Sequence, residues 1–357
     1  MTAVSRLTIL TFLLCLTGTP VWAFHESGVA NCSGCHTMHG EQPNAGQSLL
    51  RDTDITALCL TCHATDFGSV MGTVPLSPPP ERGAGNFVFL FEDNINDAPD
   101  GALSPIPGHA AGHSVVSTGW GLEPDPLNPT APGSGYPSDQ LTCTSCHDPH
   151  GNQAFRILRG NQVENRTGFL FRFPAPKGDG LEVSGGGVET QTSHTAYQSG
   201  WSNWCANCHG LYHHGGQASG FEHPVRHGID RKMRESYNAY NGPADPTGGS
   251  FATAYIAEVP FEDDAMTTST TSGPETASRI NCMTCHRAHA TSAPDALRWD
   301  PNVATLGLDG LASGSYPIPN PYGDPNQRSL CVKCHYKEST EHGQGQACMD
   351  CHRNLHD

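Results

Sequence analysis

One pentapeptide, Cys-x-x-Cys-His, recurs seven times in this chain of 357 residues and constrains its fold more than any other feature. In each copy, two thiols three positions apart can form thioethers with the vinyl groups of one porphyrin, and the histidine that follows can ligate the iron. The pentapeptide is the attachment signature of a c-type haem. We therefore expect seven covalently bound haem c groups.

The attachment residues follow directly from the seven copies. Their thiols belong to Cys32, Cys35, Cys59, Cys62, Cys143, Cys146, Cys205, Cys208, Cys282, Cys285, Cys331, Cys334, Cys348 and Cys351. The expected proximal iron ligands are His36, His63, His147, His209, His286, His335 and His352. Zinc ribbons also pair Cys-x-x-Cys units, and exported disulfide scaffolds also contain many cysteines, but neither requires a histidine after every pair.

Residues Met1–Ala23 have the features of a secretory signal peptide: Arg6 supplies the positive charge, and Leu7–Leu16 forms an apolar run too short to cross a membrane. Of the 15 cysteines, only Cys15 lies outside the seven copies. Lipidation at Cys15 is the alternative, but the run stays apolar after it. We expect an exported chain that starts at Phe24, in agreement with haem attachment outside the cytoplasm.

The remaining histidines supply sixth ligands in excess, because 20 histidines less seven proximal ones leave 13. Eight are candidate distal ligands: His25, His39, His113, His150, His213, His223, His289 and His342. Five are expected at the surface or beside ligands: His109, His194, His214, His227 and His356. Methionine is the other common distal ligand, but Met38, Met283 and Met349 are expected only to pack on porphyrin. We therefore expect bis-His coordination.

Three proximal histidines are followed by a second histidine three residues later, in the pairs His36 and His39, His147 and His150, and His286 and His289. Both members of a pair point the same way from a short turn, so they cannot bind opposite faces of one iron. The second histidine is predicted to ligate a different iron, which would draw two haems together. The alternative roles are a hydrogen bond to a haem propionate or capping of the turn.

The composition predicts mostly irregular coil with few short helices and minimal strand, wrapped around a chain of covalently bound haems. Glycine and proline number 40 and 28, and only 36% of residues are hydrophobic, so the porphyrins are expected to supply apolar bulk. The long segment 64–142 is expected to wrap haem rather than form a free linker. Local patterns predict helices over 53–63, 195–209 and 227–240, and short strands at 87–91 and 169–171.

The chain is acidic, with 19 Lys and Arg against 35 Asp and Glu, a formal net charge of −16. It lacks the basic field that holds nucleic acid or an anionic membrane, so neither is an expected partner. No apolar stretch after the signal peptide is long enough to span a bilayer. We therefore expect no transmembrane segment in the exported product.

The flanks of the motifs resemble the hexahaem outer-surface c-type cytochromes that polymerise into conducting extracellular filaments, or nanowires. The resemblance runs from residue 24 to about 338 and is carried by the segments 24–39, 141–151, 204–209, 281–290 and 327–331. It implies stacked bis-His haems in alternating parallel and perpendicular contact, without a substrate pocket. It also implies that His39 leaves its own subunit and ligates the fifth-motif haem, held by Cys282, Cys285 and His286, of a neighbour.

The resemblance divides the chain into a signal peptide (1–23), a six-haem filament-cytochrome-like region (24–337) and a C-terminal extension (338–357). The extension carries a seventh motif that the six-haem relatives lack. Whether the additional haem permits the same filament packing is left open by the sequence.

The sequence predicts an exported heptahaem cytochrome that carries electrons along closely packed haems. It would polymerise on the outer surface or outside the cell, with other multihaem cytochromes as donors and extracellular electron acceptors. A non-filamentous periplasmic or outer-membrane-conduit cytochrome is the first alternative. A multihaem reductase is the second, but it requires an iron with an open distal position, and no motif marks one. We therefore expect no enzymatic activity.

Overall fold

The computed structural model describes residues 32–37, 49–64, 70–72, 83–94, 108–181, 189–213, 225, 228–301, 303–309, 318–328 and 330–339. Irregular coil dominates these ranges, interrupted by short helices and one two-stranded sheet. This confirms the coil-rich fold that the composition predicts. Within the same ranges, no helix combines the length and the apolar character needed to cross a membrane.

The α-helices of the described residues are short and several of them carry a motif. They are α1 (Cys32–Cys35), α2 (Ile55–His63), α3 (Cys143–Cys146), α4 (Trp201–Cys205), α5 (Gly210–His213), α6 (Arg231–Ala239), α7 (Cys282–Cys285) and α8 (Val332–Ser339). Turns of 3-10 helix lie at Phe87–Asn94, Gly108–Ala110, Thr118–Trp120, Ser138–Gln140, Phe155–Ile157, Phe251–Thr253, Pro294–Ala296 and Leu306–Leu308.

Side-chain caps fix where the helices begin. The Asp54 carboxylate accepts a hydrogen bond from Ala57 N–H at 2.9 Å at the start of α2, within the predicted helix 53–63. Asp230 caps α6 in the same way, so the helix predicted over 227–240 begins only at Arg231. Because an aspartate at this position satisfies an otherwise unpaired backbone N–H group, the cap locates each helix start.

The helix predicted over 195–209 is wrong in its first part. Residues Ala196–Ser199 form strand β2, which pairs antiparallel with β1 (Lys177–Asp179). Gly200 then adopts a φ of +84°, which separates the strand from α4. A left-handed residue ends regular structure, and glycine adopts it at little cost, so the helix cannot extend back through this position.

Neither predicted strand forms. The apolar run 87–91 lies in the 3-10 turn Phe87–Asn94, where Phe87, Val88 and Phe89 are all buried. Burial of successive residues removes the alternation that a half-exposed strand requires. The segment 169–171 closes a tight turn instead, with one isolated bridge between Glu164 and Leu170.

Two apolar clusters position the motifs. The larger cluster surrounds α6 and also packs against Cys285, Cys331 and Cys334 of the fifth and sixth motifs. Its buried members include Tyr237, Tyr255, Phe261, Trp299 and Leu330. The smaller cluster holds Leu60 of α2 together with Met71, Phe87, Val88, Phe89 and Val115. Cys285, Cys331 and Cys334 therefore lie at the edge of a packed apolar region.

Candidate haem-binding sites

The fifth motif lies in a loop closed by backbone pairing. After α7, His286 forms an isolated bridge with Leu297, and Arg298 N–H donates to the Cys285 carbonyl at 2.8 Å. The loop turns through Asp295, whose φ is +57° and whose carbonyl accepts a hydrogen bond from His286 Nδ1 at 2.9 Å. A carbonyl at Nδ1 fixes the tautomer in which Nε2 carries no hydrogen, and this is the form of the ring that can ligate a metal through Nε2.

The third motif folds in the same way after α3. His147 bridges Leu158, and Arg159 N–H donates to the Cys146 carbonyl at 2.8 Å. The turn again passes through a residue of positive φ, Arg156 at +49°. Its carbonyl accepts from His147 Nδ1 at 2.8 Å. The two predicted proximal histidines therefore make the same Nδ1 contact, which fixes the same tautomer in both rings.

The first motif shares this closure, because His36 bridges Leu50 and Arg51 N–H donates to the Cys35 carbonyl at 2.9 Å. We call the segments 32–51, 143–159 and 282–298 the first, third and fifth modules. Each begins with Cys-x-x-Cys-His-x-x-His and ends with Leu-Arg. Sequence reasoning missed the closing dipeptide, although an alignment of the three motifs with their downstream flanks would have revealed it.

Three pairs of histidine rings lie close together at similar separations. The ring centroids are 6.2 Å apart in His36 and His150, 6.4 Å in His147 and His289, and 5.9 Å in His209 and His113. A metal–imidazole bond is about 2 Å long and the ring centre lies roughly 1 Å beyond the nitrogen, so two axial rings on one metal have centres about 6 Å apart. Each pair combines one predicted proximal and one candidate distal histidine. The spacing fits one haem iron between each pair.

The pairing crosses between modules. His150 of the third module faces His36 of the first module, and His289 of the fifth module faces His147 of the third. Neither second histidine faces the proximal histidine of its own module. The arrangement agrees with the expectation that a histidine three residues after the proximal one belongs to a different iron.

Backbone contacts hold two candidate distal histidines against each other. His113 N–H donates to the His289 carbonyl at 2.8 Å, and His113 Nδ1 donates to the Ala288 carbonyl at 2.7 Å. Burial lowers the pKa of His289 to about 3 and the pKa of His209 to about 4. Because neutral imidazole is the form that ligates a metal, these rings are ready to ligate near neutral pH.

Replacement of Gly112 with alanine is expected to destabilise this junction by about 2–4 kcal/mol. A Cβ at Gly112 would lie 2.1 Å from the His289 carbonyl oxygen, a backbone atom that cannot move aside alone. Denaturant unfolding of the haem-loaded protein measures the change. Gly135 is the control, since a Cβ there meets nothing within 4 Å. Equal unfolding midpoints for Gly112→Ala and Gly135→Ala would show that the junction is not tightly packed.

Cysteines from different motifs meet in two places. The Cys59 and Cys143 thiols are within hydrogen-bonding contact, and so are the Cys205 and Cys282 thiols. The second motif therefore lies beside the third, and the fourth lies beside the fifth. No disulfide joins the cysteines that the structure describes.

The sixth motif contains a buried cation. Lys333, between Cys331 and Cys334, is almost fully buried, and its Nζ donates to the Tyr240 carbonyl at 2.9 Å. The Nζ also lies 4.7 Å from the centre of the Tyr237 ring. Burial lowers the pKa of Lys333 to about 8. The ammonium joins α8 to α6 and fixes the position of the sixth motif.

Several predicted site residues lie outside the described residues: His25, His39, His223, His342, Cys348, Cys351 and His352. Only the backbone of His213 is described. Met283 is buried beside Tyr197 and Trp201. His194 is completely buried and stacks on Tyr255 at 4.0 Å, so this histidine does not lie at the surface.

Paired motifs, opposed histidines and a coil wound around them define the fold of a multihaem c-type cytochrome. A family model described as a doubled CXXCH motif matches residues 25–68. The chain is 27% identical over 423 aligned positions to the C-type cytochrome OmcS of Geobacter sulfurreducens, covering 91% of this chain and 96% of that protein.

Two solved structures from the same organism have a similar fold. The Outer Membrane Cytochrome S filament has a TM-score of 0.70 and 25% identity, covering 88% of this chain and all of that chain. The cryo-electron microscopy structure of the OmcS nanowires has a TM-score of 0.69 and the same identity and coverage. The chain therefore has an OmcS-like multihaem cytochrome fold.

Proposed function

We propose that this chain is an exported heptahaem c-type cytochrome that carries electrons along closely packed bis-His haems and polymerises into an extracellular filament. The observation that carries the proposal is the set of three histidine pairs, each at a spacing suited to one iron. Two of these pairs link one module to another. Other multihaem cytochromes would donate the electrons, and acceptors outside the cell would receive them.

In this proposal, His36 and His150 hold the first-motif haem, and His147 and His289 hold the third-motif haem. His209 and His113 hold the fourth-motif haem. The remaining irons, bound by His63, His286, His335 and His352, take distal ligands from His25, His39, His213, His223 and His342. When bound, haem supplies a one-electron iron couple, and bis-His ligation lacks the methionine that raises the reduction potential. The role of the chain is to hold these haems at short, fixed separations.

The pairing between modules supports the proposed role of His39. The fifth module gives His289 to the third-motif haem, and the third module gives His150 to the first-motif haem. By the same pattern, the first module would supply His39 to a haem that belongs to none of the preceding modules of the same subunit. In a polymer, that acceptor is the fifth-motif haem of an adjacent subunit. The similarity to filament structures supports this continuation between subunits.

Haem loading is the first test. We expect the secreted chain to start at Phe24 and to carry seven haems, because all seven motifs are complete. Intact-mass spectrometry of the native protein measures both quantities. As a matched control, the double replacement of Cys348 and Cys351 by serine should remove one haem from the mass. A native mass with six haems, unchanged in the double variant, would show that the 338–357 extension carries none.

Filament formation separates the proposal from its first alternative. Electron microscopy of native secreted material should show polymers. Monodisperse particles at every concentration would favour a non-filamentous periplasmic or outer-membrane-conduit cytochrome. The C-terminal extension would then be a candidate obstacle to packing, and removal of residues 338–357 would test that role by restoring filaments.

A further inference from the structure

Each module ends in an arginine, and in the third and fifth modules its side chain folds back onto the motif of the same module. Arg298 Nε donates to the Met283 carbonyl at 2.7 Å, and Arg159 Nε donates to the Thr144 carbonyl at 3.0 Å. Both acceptors are the residue that follows the first cysteine of Cys-x-x-Cys. The two guanidinium groups therefore occupy equivalent positions beside the cysteine edge of their motifs.

The charges of these arginines act on the attachment cysteines. Among the charged groups that influence the second cysteine of each motif, Arg298 acts on Cys285, and Arg159 acts on Cys146. The second cysteine is an attachment point of the porphyrin, so a positive charge that reaches its sulfur also reaches the haem held there. This step rests on the proposed function, since it takes the motifs to hold haem.

The three arginines differ in burial. Arg51 of the first module is exposed, Arg159 of the third is half-buried, and Arg298 of the fifth is 2% exposed. A charge in a low-dielectric interior interacts more strongly with a neighbouring group than one surrounded by water, and salt screens exposed charges further. The same module therefore places a progressively stronger positive field on its haem from the first motif to the fifth.

The positive charge of Arg298 is not cancelled at close range by an acidic group of the described residues. Its Nη atoms donate only to neutral oxygens, those of Ala257, Tyr197 and Gly83, and none of the ion pairs within 4 Å among the described residues includes it. Glu189 and Glu258 act on it from farther away. Arg298 is thus a buried cation held by hydrogen bonds.

We propose that Arg298 makes the fifth-motif haem the most easily reduced of the three module haems, followed by the third-motif haem and then the first-motif haem. Reduction adds one electron to the iron and lowers its charge by one, with no bond formed or broken in the protein. A fixed positive charge nearby therefore favours the reduced state, and net charge and solvent exposure are established determinants of such potentials. The ordering would place the highest potential of the series at the haem proposed to contact the next subunit.

The test is a spectroelectrochemical titration of the haem-loaded chain with Arg298→Gln, which keeps hydrogen-bond donors but removes the charge. The midpoint potential of one haem should fall. At a fixed potential, the ratio of reduced to oxidised haem should decrease at least tenfold, equivalent to about 59 mV for one electron. Arg298→Lys should leave the midpoint of that haem unchanged, whereas Arg51→Gln should change the reduced-to-oxidised ratio of no haem by more than twofold. Replacing Cys282 and Cys285 with serine removes the fifth-motif haem, and the same midpoint should therefore disappear from the titration.

Seven unchanged midpoints in a fully loaded, low-spin Arg298→Gln protein would overturn the proposal, and equal shifts in the Gln and Lys variants would indicate a merely structural role. If Arg298→Gln does not load its haems, Arg159→Gln decides the question. Arg159→Gln should lower the reduced-to-oxidised ratio of one other haem at least threefold at a fixed potential. An effect no larger than that of Arg51→Gln would overturn the proposal. Missing haems or high-spin iron in the assembled wild-type protein would instead count against the proposed function.

Discussion

Replacing His39 with alanine is expected to leave seven haems attached but to weaken or abolish filament assembly. No cysteine or proximal histidine changes, so attachment is preserved, whereas a metal–ligand bond across the subunit interface is lost. The acceptor iron should lose its sixth ligand and become high-spin. Intact mass, electron microscopy and the absorption spectrum measure these three outcomes on one sample. Remaining buried contacts between subunits set how much polymer survives.

His109→Ala is the matched control for this experiment. His109 lies in the 3-10 turn Gly108–Ala110 and is not a candidate distal ligand, so its removal should leave both assembly and spin state unchanged. An isolated wild-type subunit should already contain one incompletely ligated haem that becomes low-spin on polymerisation. Normal His39→Ala filaments with every haem low-spin would disprove the ligand between subunits and leave His39 as a propionate partner or turn cap.

Replacing His289 with alanine is expected to open one iron, and that iron should belong to the third motif rather than to the fifth. The ring of His289 faces His147 at a centroid distance of 6.4 Å, although its chain neighbour is His286. Carbon monoxide binds a reduced five-coordinate haem, so the variant should bind one equivalent and assembled wild-type protein none. Stoichiometric binding to assembled wild-type protein would reveal an open iron and support the reductase alternative.

Pairs of replacements identify the iron that His289 ligates. Alanine at both His147 and His289 should alter one haem, because the two histidines are proposed to bind the same iron. Alanine at both His286 and His289 should alter two haems. The proposed pairing is wrong if these two double variants give the opposite counts, which carbon monoxide titration and the high-spin absorption band measure independently.

The motifs and the coil-rich fold were predictable because they depend on local chemistry. Five residues, Cys-x-x-Cys-His, are enough to specify haem attachment. The start of α2 can be predicted from local sequence because Asp54 caps the helix. The strand at 196–199 was not predictable from periodicity, since Tyr197 and Trp201 suit a helix face as well as the packed turn they form around Gly200. The run 87–91 did not form a strand, because three successive side chains, those of Phe87, Val88 and Phe89, are buried.

The pairing of histidines shows the limit of sequence reasoning most clearly. Local geometry excludes His150 from its own iron, but the choice of His36 as its partner depends on packing between distant segments. The same holds for His113 and His209, which are brought together by contacts with the fifth module. The Leu-Arg dipeptides were visible in the sequence, but the proposed effect of each arginine on its haem depends on burial. Among the three arginines, only Arg298 is buried.

The measurement that tests the central claim most directly is cryo-electron microscopy of the native secreted protein, at a resolution that shows every axial ligand. The account predicts filaments whose subunits each hold seven haems, with His150, His289 and His113 on the first-, third- and fourth-motif irons. Density for His39 should enter the adjacent subunit and meet the fifth-motif iron. Separate monomers, or filaments in which these histidines ligate other irons, would contradict it.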